Sequence, residues 1–164
     1  METIFTTRAL SPGDEPFLWE MLYQALYVPA GQPPFSREVL AEPGIRRYVQ
    51  GWGAEAGLGL LALLDDIPVG AAWLRLFDAQ NPGYGYVAAD IPEMSIALLP
   101  AYRGSGLGSV LLGRLFELAR GRYAAISLSV SMQNPARQLY ERLGFRPVSQ
   151  SGDSLTMFKD LREE

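Results

Sequence analysis

The stretch Leu98-Leu-Pro-Ala-Tyr-Arg103-Gly-Ser-Gly106-Leu-Gly108-Ser109 joins an apolar run with strand character to a run spaced like an amphipathic helix. Three glycines on alternate positions, Gly104, Gly106 and Gly108, follow an arginine. Glycine lets a backbone turn and approach a ligand where a side chain would clash. A helix N-terminus adds unpaired N–H groups and a dipole that favours anions. The residues Gly104 to Ser109 therefore read as a cradle for a phosphate or pyrophosphate, with Arg103 as its cationic partner.

Two familiar phosphate loops fit poorly. A Walker loop needs Gly-Lys followed by Ser or Thr, and the single lysine of this chain, Lys159, lies far away. Gly104, Gly106 and Ser109 approach the dinucleotide pattern Gly-x-Gly-x-x-Gly. That reading also asks for an acidic residue ending the next strand, and the run from Ala124 to Val130 ends in Ser-Met-Gln-Asn.

The stretch instead resembles the signature of the GCN5-related N-acetyltransferase family: Arg or Gln, two residues, Gly, one residue, then Gly or Ala. Arg103-Gly-Ser-Gly106-Leu-Gly108 matches without departure. A second motif follows at the family's distance, Asn134-Pro-Ala136-Arg-Gln-Leu139-Tyr140-Glu-Arg-Leu143-Gly144-Phe145. The resemblance covers Glu93 to about Phe145 specifically. It implies one α/β (α+β) domain over residues 1–164, with a mixed, mostly antiparallel central sheet flanked by helices and two strands splayed around the cofactor. The implied activity is acetyl transfer from acetyl-CoA (coenzyme A) to a primary amine by direct attack, with no metal.

Composition bounds the chemistry. The chain has 164 residues, enough for one domain with a real core. It has neither cysteine nor histidine, which removes thiolate nucleophiles, disulfides, the commonest metal ligands and any histidine-based triad. Acid–base work falls to carboxylates, tyrosines or water. A net charge of −4 disfavours nucleic acid as the main partner. Without a basic or apolar leader pattern or a long apolar run, the expectation is a cytoplasmic protein that binds no membrane. A homodimer through an edge strand is compatible with such a fold, although no residue demands it.

Periodicity orders the elements. Thr3 to Leu10 reads as a strand; Asp14 is a candidate N-cap for a helix carrying Phe17, Leu18, Met21, Leu22, Ala25 and Leu26 on one face. Val28 to Phe35 is a Pro-rich break, Ser36 caps a further piece, and Ile45 to Gln50 resumes a helix after Glu42-Pro-Gly44. Gly57 to Leu64 and Val69 to Phe77 form a hairpin around Asp65-Asp-Ile-Pro68. Asp78 to Asp90 reads as a mobile loop, and Glu93 to Leu99 as the strand feeding the glycine loop. Leu107, Leu111, Leu115 and Leu118 mark the buried face of the following helix. Asn134-Pro135 opens the next helix and Gly144 closes it. Phe145 to Ser149 and Leu155 to Lys159 are the closing strands.

Acetyl transfer to an amine needs a base for the ammonium proton, a donor for the developing oxyanion and an acid for the leaving thiolate. By the resemblance, Glu93 is the candidate base, acting through a water, with Asp90 the nearest substitute. The position after Pro92 equally suits a solvated strand-end carboxylate. Tyr140 is the candidate acid near the sulfur, although its helical spacing also suits a core tyrosine. The resemblance implies cofactor contacts from the backbones of Leu98 and Leu99, from Arg103, Gly104, Ser105, Gly106, Leu107, Gly108 and Ser109, and from Asn134 and Ala136. Acceptor candidates are Tyr27, Phe35, Trp52, Trp73, Tyr84 and Tyr86, with Arg46 and Arg47 able to meet a carboxylate or simply to solvate a helix face. A small-molecule amine is the expected acceptor. The alternatives are a protein N-terminus or lysine, for which a groove should open around Val28 to Phe35, and a non-catalytic acyl-CoA sensor.

Overall fold

Strands and helices alternate along the chain in the computed structural model, which describes residues 5–53 and 57–162. In order, the main elements are β1 (Phe5–Ala9), α1 (Glu15–Ala25), the short α2 (Pro43–Arg46), β2 (Leu58–Leu64), β3 (Ile67–Arg75) and β4 (Glu93–Leu98). There follow α3 (Leu107–Ala119), β5 (Ala125–Ser131), α4 (Ala136–Arg142), β6 (Arg146–Ser151) and β7 (Ser154–Asp160). The strands form one sheet in the order β1-β2-β3-β4-β5-β7-β6. Among the described strands only the β4–β5 contact is parallel, with α3 as its crossover. This is the mixed, mostly antiparallel sheet that the sequence leads one to expect, and it is not a doubly wound dinucleotide fold.

Local chemistry explains most boundaries. The β2–β3 hairpin turns on Asp65 and Asp66 alone, both at positive φ (49° and 66°), as a two-residue type I′ turn requires. Ile67 and Pro68, expected in the turn, belong to β3, and Pro68 sits at a register irregularity opposite Leu63. Asp14 occupies the N-cap position of α1 without capping it. Its carboxylate instead takes two hydrogen bonds from Arg8 and accepts the Ser11 N–H and hydroxyl, tying β1 to the start of α1. Ser36 accepts the Glu38 N–H as expected, but the piece it caps is a tight 3₁₀ turn over Arg37–Ala41. The next helix starts at Pro43, two residues before Ile45, because proline is suited to a first helical position. Positions 3 and 4 of the expected first strand lie outside the described residues.

Each face of the sheet buries a separate apolar cluster. Period-two alternation sends Met94, Ile96 and Leu98 of β4 toward α3, where they join Leu111, Leu115, Phe116, Ile126, Leu128 and Val130. Ala97 faces the other way, among Leu18, Met21 and Leu22 of α1 and the rings of Tyr48, Trp52 and Trp73. The buried face of α3 is wider than expected, adding Leu112, Phe116 and Ala119 to Leu107, Leu111 and Leu115. Leu118 is exposed instead. The helix crosses a twisted sheet, so its contact stripe drifts around the axis and leaves Leu118 outside by the last turn. Truncating a fully buried member such as Leu111 to alanine costs about 2–5 kcal/mol.

Candidate active site

The sheet opens at its centre. β4 and β5 pair at one register position, Glu93 with Ser127, where the Ser127 N–H donates to the Pro92 carbonyl. Beyond it the strands diverge. On the opposite side β4 is paired with β3 along its whole length, from Arg75–Glu93 to Gly70–Leu98. The Leu99 N–H donates to the Val69 carbonyl, which fixes the odd-numbered peptide groups toward β3. The even-numbered ones, Ile96 and Leu98, therefore face the gap. This divides the expected Leu98–Leu99 pair. Leu99 is spent, since its carbonyl also accepts the Tyr102 N–H, whereas the Leu98 N–H points into the opening.

The glycine loop closes one end of that opening. Gly106 is the N-cap of α3 in the left-handed region (φ 84°), and Gly104 has φ 75°, conformations that side chains disfavour. A Cβ at either position would meet nothing within 4 Å, so the loop faces open space. The first bond into α3 runs from Val110 N–H to the Gly106 carbonyl, leaving the N–H groups of Leu107, Gly108 and Ser109 free of helical partners. These donors suit a pyrophosphate. The Ser105 hydroxyl donates back to the Tyr102 carbonyl. Arg103 is folded across the strand end: its guanidinium donates to the Leu98 carbonyl at 3.3 Å and to the carbonyl and side chain of Gln24 at 3.3 and 3.0 Å. It thereby clips the end of α1 to the loop.

A cavity of about 170 Å³ lies where the strands part, lined among others by Leu22, Ile45, Tyr48, Tyr84, Glu93, Ser95, Ser129 and Tyr140. The sheet thus brings Glu93 and Tyr140 to one chamber. Glu93 is not a solvated strand end, being only 2% exposed. Its Oε1 accepts hydrogen bonds from the Tyr48 hydroxyl and the Gly85 N–H, both at 2.8 Å, while Oε2 has no partner among the described residues. Burial raises the Glu93 carboxyl above the ordinary range, opposed by the Gly85 N–H, the Tyr48 hydroxyl and the charge of Arg47. Burial also pushes Tyr140 up to about 12, so it holds its proton at neutral pH. Just before α4, Asn134 Oδ1 accepts the Ala136 N–H at 2.9 Å. Pro135, not Asn134, holds the N-cap position of α4, and Asn134 lines the cavity.

Hydrogen bonds from distant residues anchor the 76–92 connection. Arg47 donates to Asn81 Oδ1 and to the Pro82 carbonyl, and the Tyr84 N–H donates to the Tyr48 hydroxyl at 2.8 Å. Gly83 lies against the Glu93 carboxylate and Gly85 against the β5 backbone, so closely that a Cβ would clash at either. Among the acceptor candidates, Tyr84 lines the cavity, while Tyr27 and Phe35 line an adjoining groove of about 360 Å³ with Val28 and Pro34. Trp52 and Trp73 are core, and Trp73 Nε1–H donates to the Tyr48 carbonyl. Asp90 is exposed and Tyr86 half-buried, and neither lines the cavity. Arg46 reaches the Ala41 carbonyl and Arg47 the loop, so neither faces the chamber. Tyr48 is the residue that the sequence reading missed. A lone tyrosine after two arginines carries no motif, and its contact to Glu93 spans 45 positions.

An opened parallel strand pair, a glycine-lined helix start and a buried carboxylate thus meet around one opening in the sheet. The Acetyltransferase (GNAT) family model matches residues 19–145, and the chain belongs to that family. It is 46% identical over 55 residues to the [ribosomal protein bS18]-alanine N-acetyltransferase of Haemophilus influenzae, a match spanning 33% of this chain and 38% of that protein. Among solved structures it resembles the PaiA N-acetyltransferase of Thermoplasma acidophilum in complex with coenzyme A, at TM-score 0.68 and 19% identity over 96% of this chain and 99% of the other. YncA of Salmonella typhimurium, with its cofactor acetyl-CoA, gives TM-score 0.70 and 19% identity over 99% and 96%. The ribosomal-protein-S18-alanine N-acetyltransferase of Escherichia coli gives 0.65 and 22% over 96% and 94%. No helix among the described residues is long and apolar enough to cross a membrane.

Proposed function

We propose that the protein is an acetyl-CoA-dependent N-acetyltransferase whose acceptor is a primary amine. The observation that carries this reading is the β4–β5 opening, which turns the Ile96 and Leu98 N–H groups toward the gap and has a buried carboxylate at its closed end. Acetyl-CoA, when bound, supplies the activated acetyl thioester. The α3 N–H groups, Gly104 and Gly106 hold its pyrophosphate, and the Leu98 N–H holds its arm. Arg103 fastens the loop to α1 and lends it positive charge. Glu93 removes the ammonium proton, directly or through water, and its raised proton affinity suits that task. Tyr140, protonated at neutral pH, returns a proton on the other side of the reacting centre.

The acceptor enters a chamber whose lining, among the described residues, holds one carboxylate and no basic side chain, which favours a cation. Its volume of about 170 Å³ admits a small amine, so a small molecule is the first reading. One observation favours a second: the Val28–Phe35 groove adjoins the chamber through Ala25, Leu26 and Asn134, as a peptide N-terminus would require. The test is thiol release from acetyl-CoA across amines, amino acids, polyamines and short peptides. The chain has no cysteine, so a thiol reagent sees only product. Turnover confined to peptides selects the groove; turnover with small amines selects the chamber. Tight cofactor binding without turnover by any acceptor points to the sensor role and sinks the enzymatic one.

A further inference from the structure

The two oxygens of Glu93 lie in different surroundings, Oε1 in a hydrogen-bond network and Oε2 packed against Gly83. Oε1 takes the Tyr48 hydroxyl and the Gly85 N–H, and Oε2 takes no donor among the described residues. The Tyr48 hydroxyl also sits 2.8 Å from the Tyr84 nitrogen. A backbone N–H can only donate, so the hydroxyl must accept there, and its own single proton is committed to Glu93. The tyrosine is itself held rigidly. Trp73 donates to its carbonyl at 2.9 Å, Phe77 meets its ring edge-on at 5.1 Å, and Tyr84 stacks on it at 6.4 Å.

We propose that Tyr48 is a positioning residue: its hydroxyl, with the Gly85 N–H, holds Oε1 of Glu93 and so sets how readily that carboxylate takes the acceptor's proton, and it anchors the 76–92 loop in the same bond network. This rests on the reading of Glu93 as base. The groups around Glu93 leave Tyr48 as the side chain that acts on it by hydrogen bond. Arg47, from the segment after α2, contributes charge from a distance, with its own donors on the loop and on the Gly44 carbonyl. Arg75, the register partner on β3, donates to the Gln50 carbonyl. Ser127, the partner on β5, is buried with its hydroxyl making no hydrogen bond among the described residues. Tyr84 contributes its backbone N–H, and α1 lines the chamber with the apolar Leu22 and Ala25.

A donor to the ionised carboxylate favours the charged form, so removing it makes Glu93 harder to ionise. The experiment is a ¹³C-carboxyl NMR titration of the whole protein, with the Glu93 resonance assigned by its loss in Glu93→Gln. In Tyr48→Phe the Glu93 midpoint should rise by about one pH unit, a tenfold loss of the ionised form on the acid side. The acid limb of kcat/KM should move with it, while the plateau at higher pH stays within about twofold, since one unit is one factor of ten below the limb only. Replacing Tyr48 by 3-fluorotyrosine, a stronger donor of the same shape, should move the midpoint down; this arm decides if Tyr48→Phe fails to fold. A Glu93 midpoint unmoved by either change, or a uniform fall in activity with the pH profile in place, overturns the proposal. The titration needs no turnover, so a protein that acetylates no amine defeats the reading of Glu93 as base without touching the measured tie to Tyr48.

Discussion

At Glu93 burial and hydrogen bonding pull in opposite directions, and burial wins, since the carboxyl stays above its ordinary value of 4.5. The consequence for stability follows from linkage. A carboxyl whose folded value is raised contributes stability that is fully present below the unfolded value and is lost as pH rises through the folded one. Wild-type protein should therefore lose stability on going from below pH 4.5 into that higher window, and Glu93→Gln should lack this component. The same substitution keeps an oxygen for the Tyr48 and Gly85 donors, so the fold survives. With no base, turnover should drop by about 10²-fold or more. Thermal melts across pH, paired with thiol release at pH 7, check both halves. A Glu93→Gln protein with near-normal turnover would remove Glu93 from the chemistry.

Among the elements, α3 and its glycine loop show best what a sequence can disclose. Positive φ at Gly104 and Gly106 and the apolar stripe on α3 follow from local residue types, and so does α4, with Asn134 before it and Gly144 after. What stayed hidden depends on distant contacts. The loop around Tyr84 has the Gly-Pro-Asn composition of a mobile segment, yet it is fastened by Arg47 and Tyr48 from 36 or so positions away. Leu98 and Leu99 are alike as letters; which N–H meets the gap depends on the register with β3. Leu118 lies outside the buried stripe for a similar reason, because sheet twist is not written in a helical wheel. Gly106→Ala tests the legible part. Forcing alanine into φ 84° costs roughly 1–2 kcal/mol, and the open space around that Cβ means strain rather than clash. Calorimetry should show Tm falling by several degrees, on the scale of about 2–4 °C per kcal/mol for a domain of this size. Coenzyme A affinity should fall as well. An unchanged Tm would mean that the loop tolerates another conformation.

For the whole molecule, the two apolar clusters lie on opposite faces of one sheet, and the opening between β4 and β5 is where that sheet is least continuous. Each half is closed by its own antiparallel ladders, β1 to β4 on one side and β5, β7 and β6 on the other. The gap therefore costs few hydrogen bonds beyond those that a ligand arm can replace. Amide exchange along β4 should reveal it as an alternation. The Ser95, Ala97 and Leu99 N–H groups, directed at β3, should exchange slowly in the free protein. Ile96 and Leu98, directed at the gap, should exchange faster and slow markedly when coenzyme A is added. The ligand should also raise the stability of the whole domain, by about 2.7 kcal/mol at a hundredfold excess over Kd. Protection spread evenly along β4, before and after addition, would mean that the strand is paired on both edges and that the cofactor arm lies elsewhere. Protection gained only at the even-numbered amides would locate that arm in the gap, next to Glu93, through backbone groups that no side-chain substitution can remove.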